Sequence, residues 1–169
     1  MTIKVSKPAI NIREKLNDLD FDKVPFQKMP AGSVVQVVQG TTTTYTANSS
    51  ATFADTTLTA TISPSSSKSK ILVLIDQQGC RAAAAQTGDI TMKLQRDSSD
   101  IYKFALGYWY TSVSTEFRGG ISGTYLDSPN STVATVYKTV FAPNDGGTST
   151  VQNDNANTMS TITLMEIAQ

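Results

Sequence analysis

Thr57-Leu-Thr-Ala-Thr-Ile62 is the stretch that decides the fold, because apolar and hydroxyl side chains alternate along it. Successive side chains of a β-strand point to opposite faces of a sheet, so the alternation predicts a strand that is buried on one face. Ile90-Thr-Met-Lys-Leu-Gln95 repeats the pattern. Ile71-Leu-Val-Leu-Ile75 is apolar at every position and predicts a strand that is covered on both faces of its sheet.

Further strands are predicted on both sides of these three. Within Val133–Phe141, Tyr137 and Phe141 share one face and Val136 and Val140 the other; the remaining candidates are Ser33–Val38, Ile101–Leu106, Tyr108–Tyr110, Gly120–Tyr125 and Thr161–Ile167. Turn signals separate the strands at Ser63–Ser67, Gln78-Gly79, Thr87-Gly-Asp89, Arg96–Asp100, Ser128-Pro-Asn130 and Pro143–Gly147. Nine or ten short strands with this punctuation predict an all-β fold, an antiparallel sandwich that is most simply a jelly roll.

The composition excludes several classes of function. The 14 basic and 14 acidic residues cancel, and 24 Thr with 18 Ser favour pleated sheet. There is no histidine for a base, a metal ligand or a pH switch, and the single Cys80 excludes an intrachain disulfide or a multi-cysteine metal site. No cofactor is predicted. No nucleic-acid partner is predicted either, since the chain lacks the basic cluster that would neutralise phosphates. The longest apolar run, Ile71–Ile75, is too short for membrane insertion.

The composition changes at Pro30, which predicts an N-terminal arm over residues 1–30 and a β-domain over residues 31–169. Charges are frequent before Pro30, whereas Ser and Thr dominate after it. The arm contains a predicted two-turn helix, Asn11–Leu19, in which Asn11 and Glu14 form a capping box. A helix of this length is marginal alone, so the arm is expected to dock onto another surface. The apolar residues assigned to that docking are Ile10, Ile12, Leu16, Leu19 and Phe21.

Catalytic and metal-binding groups are sparse. The carboxylates that could form an acid–base pair mostly occupy predicted turns: Asp76, Asp89, Asp97, Asp100, Glu116 and Asp127. Cys80 precedes Arg81, as a reactive thiol could, but without a histidine a buried structural cysteine is the favoured interpretation. The oxygen-rich stretches Asp97–Asp100 and Asn153–Asn157 lack the spacing of a calcium loop. The chain is therefore predicted not to be an enzyme.

Two features are more typical of a contact surface. Tyr108-Trp-Tyr110 places the two tyrosines on one face and Trp109 on the other, and exposed aromatic rings stack on sugars or anchor protein interfaces. The alternative is that one of these faces belongs to the core and the other packs on a neighbouring subunit. Ala82–Ala85, flanked by Arg81, indicates either a loop or a tightly packed small-residue strand. The predicted receptor or subunit contacts are Arg81, Tyr108, Trp109 and Tyr110.

Several segments together resemble a known family. They run in order from Ala31-Gly-Ser-Val-Val-Gln-Val-Val-Gln39 through Thr52–Val73, Tyr125-Leu-Asp-Ser-Pro-Asn130 and Val136-Tyr-Lys138 to Ser160–Ile167. This order is similar to a β-domain of tail-fibre and other virion-fibre proteins of marine bacteriophages, particularly those of cyanobacteria. The opening Met1–Leu16 resembles the start of structural proteins of such phages. The resemblance covers nearly the whole chain and carries no catalytic motif.

The resemblance implies a structural protein of the virion, made in the host cytoplasm. The first hypothesis is a homotrimeric short tail fibre or fibre-like appendage that contacts host-surface glycans. In it the arm docks onto another phage structural protein of the tail, adaptor or capsid. The second is a capsid decoration or cement protein. The third, from another class, is a free carbohydrate-binding β-sandwich, against which the arm argues, because a free lectin has no need of one.

Overall fold

The computed structural model describes residues 29–83, 89–109, 116–144, 147–153 and 158–169. These residues form ten β-strands: β1 (Val34–Thr42), β2 (Thr46–Asn48), β3 (Ala54–Ile62), β4 (Lys70–Ala83), β5 (Ile90–Arg96), β6 (Ser99–Tyr108), β7 (Phe117–Asp127), β8 (Thr135–Ala142), β9 (Thr148–Val151) and β10 (Ser160–Ile167). The predicted arm, with Ile10, Ile12, Leu16, Leu19 and Phe21, lies outside the described residues, as does Tyr110.

Two antiparallel sheets pack face to face, which confirms the predicted antiparallel sandwich. The four-stranded sheet has the order β3-β8-β5-β6. The six-stranded sheet has the order β1-β10-β4-β9-β2, and β7 pairs with the other edge of β4. The long strand β4 organises this sheet, because its first half pairs with β10, its last residues pair with β9, and β7 follows it along the opposite edge.

The core follows the alternation of the sequence. Leu58, Ala60 and Ile62 of β3 are buried, whereas the intervening threonines point outward and are exposed. They meet residues of β4 and β10 between the sheets, so that hydroxyl side chains cover the outside and aliphatic side chains fill the inside. This first cluster also includes Ile71, Val73, Ile75, Leu94, Tyr137, Ile162 and Leu164.

A second apolar cluster fills the other end of the sandwich, and a buried polar chain crosses the interior as well. The cluster contains Cys80, Ile90, Met92, Ala105, Ile121, Phe141 and Val151. In the polar chain, the Thr139 hydroxyl donates to Gln77 Oε1 at 2.9 Å, and Gln77 Nε2 donates to Ser160 Oγ at 3.2 Å. Thr56 Oγ1 lies 2.5 Å from Thr139 Oγ1. These polar contacts link strands β3, β8, β4 and β10 inside the sandwich.

The predicted turn at Gln78-Gly79 is wrong, because β4 continues through it to Ala83. The register of β4 against β7 shifts between Gln77 and Cys80, which is a β-bulge, and Gly79 takes a φ of 59°. Glycine tolerates this left-handed conformation, and the bulge turns the freed carbonyls toward the chain after β9. The amides of Gln152 and Asn153 donate to the carbonyls of Gln78 and Gly79 at 3.0 and 2.9 Å.

The predicted strand Tyr108–Tyr110 is also wrong as a separate element. Instead, β6 runs on from Ser99 to Tyr108 and ends there, and Trp109 turns the chain with a φ of 63°. The short strands β2 and β9 were not predicted, because three or four residues are too few for a periodic pattern. The expectation that Ile71–Ile75 is covered on both faces holds only for the inner one, since Leu72 and Leu74 are half-buried.

Candidate functional site

Four apolar side chains lie in one line across the outward face of the six-stranded sheet. The strand register places Val37 of β1 beside Met165 of β10, Met165 beside Leu72 of β4, and Leu72 beside Leu126 of β7. We call these four residues the outer row. With strands about 4.8 Å apart, the row spans about 14 Å. It lies on the face opposite to the buried Ile71, so it is not part of the core.

The outer row is open to solvent at both ends. The exposed fraction of the side chains is 56% for Val37 and 50% for Leu126, while Met165 and Leu72 are half-buried. The parallel line two residues along, Gln39, Thr163, Leu74 and Thr124, carries no charge. The line on the other side contains Ile167 and Lys70, so the border is uncharged on one side only. An apolar line of this kind on the outside of a sheet is typical of a protein contact.

A second apolar surface lies where β6 and β7 close one side of the sandwich. The rings of Tyr102 on β6 and Tyr125 on β7 stack with centroids 5.1 Å apart, and Phe104 continues the stack at 6.2 Å from Tyr102. Gly123 makes room for this arrangement, because a Cβ there would lie 3.0 Å from the Phe104 side chain. Aromatic stacking therefore joins the two edge strands across the gap between the sheets.

We call this side, with Tyr102, Phe104, Leu106, Tyr108 and Tyr125, the aromatic edge. Among the described strands, β6 pairs only with β5 and β7 only with β4, so each leaves one edge without a strand partner. Leu106 is 66% exposed and Tyr108 46% exposed. On β6 the exposed Lys103, between Tyr102 and Phe104, is a charge of the kind that protects an exposed edge, whereas Phe104–Tyr108 and Gly119–Leu126 contain neither charge nor proline.

The sequence-predicted contact residue Arg81 belongs to a charged cluster on the outward face of β4. Its guanidinium lies 2.7 Å from the carboxylate of Glu116, which also binds Arg118. Hydrogen bonds from Arg81, and then from Arg118, hold the pKa of Glu116 below its usual range. Two cations around one ionised carboxylate give the cluster a net positive charge. Arg118 is the most exposed of the three side chains, at 61%.

The two aromatic residues that the sequence placed on opposite faces of a strand differ in exposure. Tyr108 is 46% exposed, whereas Trp109 is half-buried and packs on the second apolar cluster. A Cβ on Gly119 would lie 2.9 Å from the Trp109 indole, so this glycine provides the space for the ring. Because Gly119 follows Arg118, which pairs with Arg81, the structure brings Trp109 and Arg81 to the same end of the sandwich.

The candidate carboxylates are placed as structural groups. Asp127 is buried and accepts hydrogen bonds from Arg96 at 2.9 Å and from the Tyr137 hydroxyl at 2.7 Å. Asp100 pairs with Lys93 at 2.6 Å. Two further acids bond the backbone: Asp97 accepts from the amide of Val136, and Asp89 from the amide of Asn144. Within the described ranges, no group of three His, Cys, Asp or Glu side chains could hold a metal ion.

The buried position of Cys80 does not suit a nucleophile. It is fully buried in the second apolar cluster, where its thiol hydrogen bonds to the carbonyl of Gln77 at 3.4 Å. Burial, helped by the nearby Asp76, raises the pKa of the thiol to about 12. The thiolate that nucleophilic or metal-binding chemistry requires is therefore disfavoured at neutral pH.

The sequence did not reveal the outer row. Leu72 was recognised as part of an apolar run, but Val37, Met165 and Leu126 come from three distant segments and meet only through strand pairing. The one local signal was Ile71–Ile75, which is apolar on both faces, although the sequence did not indicate what would cover the second face.

Comparison with known proteins gives no family. No protein-family model matches the chain, and no curated protein matches its sequence. Of the residues described by the structure, none form a helix with the length and hydropathy needed to cross a membrane. The fold and the surfaces described above therefore carry the functional argument.

Proposed function

We propose that this protein is a structural component of a bacteriophage virion, a homotrimeric short tail fibre or fibre-like appendage with a jelly-roll domain. The single observation that carries the proposal is the outer row. Four apolar side chains are aligned across the outer face of the six-stranded sheet, and the two at its ends, Val37 and Leu126, are at least half exposed. Burying such a line favours association by about 25 cal/mol for each Å² removed from water, so the protein is built to work in an assembly.

The strand order supports the jelly roll. With the short β2 and β9 set aside, eight strands remain, and they pair first with eighth, second with seventh, third with sixth, and fourth with fifth. These pairs are β1·β10, β3·β8, β4·β7 and β5·β6. One long antiparallel hairpin rolled into two sheets produces this order, which is the path of a jelly roll.

The homotrimer is proposed because one chain holds more apolar surface than its own core uses. The outer row remains after the two internal clusters are complete, and so do Leu106 and Tyr108 of the aromatic edge, whereas Tyr102, Phe104 and Tyr125 pack against the first cluster. Closed rings of identical subunits are the usual way to cover such surface. The resemblance of the sequence to a domain of phage fibre proteins supports the same arrangement.

The arm over residues 1–30 is proposed to attach the domain to another structural protein of the particle. The described chain supports this division, because its first backbone hydrogen bond to the domain starts at Gly32, which donates to the carbonyl of Ala168 at 2.8 Å. The amide of Ala168 donates in turn to the carbonyl of Ser33. All ten described strands therefore begin after Gly32.

Host-surface glycan is proposed to contact the end of the domain that carries Arg81, Arg118 and Tyr108. A half-exposed tyrosine can stack on a sugar ring, and arginine donors can bind its hydroxyl or carboxylate oxygens. No catalytic role is proposed, because Cys80 is protonated and the described carboxylates serve the fold.

Labelling the protein on intact particles tests the proposal directly. Density for a tag on residue 169 at the tail is expected for a fibre, and a mass of three chains is expected for the purified protein by light scattering. Density at three-fold positions of the capsid would replace the fibre with a decoration protein. No density on particles and a monomer in solution would instead support the free carbohydrate-binding module.

A further inference from the structure

We infer that the end of the domain farthest from the arm binds an acidic polysaccharide, through the carboxylate or sulfate groups that its sugars carry. The inference rests on the proposed function, because it names the class of host-surface glycan that the virion protein contacts. It starts from the charged cluster Arg81, Glu116 and Arg118, in which two guanidinium groups share one carboxylate. In the other salt bridges of the described residues, each cation has an acid of its own.

The cluster lies at the opposite end of the sandwich from the arm. The arm enters the domain beside the C-terminus, where Gly32 donates to the carbonyl of Ala168. Strand β4 begins beside this entry, at Lys70, which pairs with Ile167. Arg81 follows 11 residues later on the same strand, which corresponds to about 35 Å of extended chain. A domain held by its arm therefore presents the cluster at its free end.

Two polar atoms beside the cluster have no hydrogen-bond partner within the part of the chain that the structure describes. Strand pairing places Thr150 of β9 directly beside Arg81, on the outward face of the six-stranded sheet. The Thr150 hydroxyl and Arg81 Nε are both buried, and neither makes a hydrogen bond. Buried polar groups of native proteins are nearly always paired, so these two atoms favour an acceptor that comes from outside the chain. An anionic oxygen can accept a hydrogen bond from each of them.

Strands β4 and β7 do not supply a second acid to neutralise the cluster. The nearest acid of these two strands on the outward face is Asp76, which accepts a hydrogen bond from Gln78 Nε2 at 2.6 Å. Asp76 pairs with Ser122, which is four residues from Arg118 and therefore about 13 Å away along β7. This separation exceeds the Debye length of about 8 Å at physiological salt. The positive charge of Arg118, whose side chain is 61% exposed, is thus available to an anion.

Tyr108 extends the same end of the domain into a surface that suits a sugar polymer. Its ring packs on Trp109 with centroids 5.2 Å apart, and Trp109 lies over Gly119, the neighbour of Arg118. The partly exposed Tyr108 ring offers a face for stacking on a sugar, and the guanidinium fork of Arg118 offers paired donors to an acid group. A polymer with acidic substituents can use both contacts at once, whereas a small anion such as inorganic phosphate cannot.

Binding of the full chain to three immobilised polysaccharides tests the inference. Polygalacturonate carries carboxylates, dextran sulfate carries sulfates, and dextran is uncharged. At least one acidic polymer should bind about 10-fold more tightly than dextran, and the tighter of the two identifies the acid group. Raising the salt from about 0.1 M to about 1 M should remove most of this difference, because the Debye length falls from about 10 Å to about 3 Å.

Variants of the cluster locate the binding site. Arg118→Gln should weaken binding of the acidic polymer by about 10-fold, because it removes the exposed guanidinium. Glu116→Gln should strengthen binding, because the competing carboxylate is lost while both guanidinium groups remain. Lys70→Gln is the matched control, since it removes the same charge from the same face of β4 at the end beside the arm, and it should bind like the parent. Urea unfolding checks that each variant is folded, and Arg118→Ala replaces Arg118→Gln if that variant is not.

The outcomes separate the inference from the proposed function. If dextran binds as tightly as the acidic polymers, the glycan contact stands and the acidic class is wrong. If Lys70→Gln weakens binding as much as Arg118→Gln, the effect is one of net charge and the site is overturned. Equally tight binding of double-stranded DNA would overturn the recognition of a polysaccharide. If no polymer binds, the inference fails together with the glycan contact, while labelling of intact particles still decides the place of the protein in the virion.

Discussion

Gly40 of β1 passes so close to Thr59 of β3 that a Cβ on Gly40 would lie 1.9 Å from the Thr59 carbonyl oxygen. The two strands belong to different sheets, and this is where the sheets approach each other on the side opposite to the aromatic edge. Nearby, the hydroxyls of Thr42 and Thr57 lie 2.7 Å apart and join the same two strands. The missing side chain of Gly40 thus sets how tightly this side of the sandwich closes.

Gly40→Ala is expected to destabilise the domain by about 2–3 kcal/mol, because the obstructing atoms are backbone and cannot rotate away. Thr41→Ala is the matched control, since Thr41 is exposed on the next position of the strand and should change stability by less than about 0.5 kcal/mol. Urea unfolding of both variants measures the difference. A Gly40→Ala chain as stable as the control would mean that β1 and β3 are farther apart than described.

Glu166 makes the stability of the fold depend on pH. It is fully buried at the end of β10 and accepts hydrogen bonds from Gln36 Nε2, the Ser65 amide and the Ser65 hydroxyl. Burial alone would raise its pKa, but these hydrogen bonds outweigh burial and hold the pKa below its ordinary value of 4.5. A carboxylate with a lowered pKa stabilises the folded state above its unfolded pKa, and this contribution is lost as the pH falls through the folded value.

Stability should therefore fall as the pH drops below about 4.5, and Glu166→Gln should flatten that fall. At pH 7 the variant should lose about 1–3 kcal/mol, because hydrogen bonds to a charged acceptor are replaced by bonds to a neutral one. Urea unfolding at pH 7 and pH 3.5 measures both effects. Glu116→Gln serves as the control, because Glu116 is on the surface and should contribute less. Equal pH profiles for Glu166→Gln and the parent would contradict the prediction.

The sequence was sufficient to predict the strands that have one face in the core and the other in water. In Thr57–Ile62 the apolar positions face the core and the threonines face water, so the local pattern and the final environment agree. Ile90–Gln95 behaves in the same way on its buried face. Gln78-Gly79 has the composition of a turn, but a positive φ at glycine serves a β-bulge equally well. Pairing with β7 and β9 decides between them, and both strands are distant in the sequence.

The candidate surfaces were predicted less well, since they depend on register. The alternation placed Tyr108 and Trp109 on opposite faces but did not say which face is exposed; in the structure Tyr108 is the more exposed, and Trp109 packs on Gly119. Met165 and Val37 lie in different strands whose side-by-side position follows from pairing alone. A periodic pattern reports which face a side chain occupies, but not which residues of other strands lie beside it.

Cys80 should react with iodoacetamide only after the domain opens. The thiol is fully buried and its pKa is raised to about 12, so native protein at pH 8 holds very little thiolate, and the reagent cannot reach it. Alkylation should be slower than that of the urea-unfolded chain by a factor of at least about 1,000. Mass spectrometry over time measures both rates. Rapid alkylation of the folded protein would restore Cys80 as a reactive site.

Tyr108 and Trp109 should respond differently to replacement by alanine. Tyr108→Ala should reduce glycan binding with little change in melting temperature, because its ring is 46% exposed. Trp109→Ala should cost about 3 kcal/mol, because it empties the space above Gly119 and uncovers the second apolar cluster. Host-surface polysaccharide immobilised on a sensor and thermal unfolding give the two readouts. Loss of stability in the Tyr108→Ala chain alone would reverse the two roles.

The arm should be dispensable for folding and required for attachment. The backbone bonds that anchor the start of the domain begin at Gly32, so a chain starting at Ala31 keeps all ten strands. The predicted helix Asn11–Leu19 places Ile12, Leu16 and Leu19 on one stripe, and burying three such side chains against a partner is worth about 5–8 kcal/mol before ordering costs. Without a partner, a helix of two turns is marginal.

The experiment compares the chain beginning at Ala31 with the full chain carrying Leu16→Asp. Both should unfold in urea within about 0.5 kcal/mol of the parent, because both changes precede the first described strand, β1. Both should also fail to join particles in a reconstitution followed by sedimentation, since each removes the apolar stripe. Asn17→Asp is a control on the same helix but off the stripe, and it should still attach. If the truncated chain unfolds instead, residues 1–30 belong to the core and the domain boundary at Pro30 is wrong.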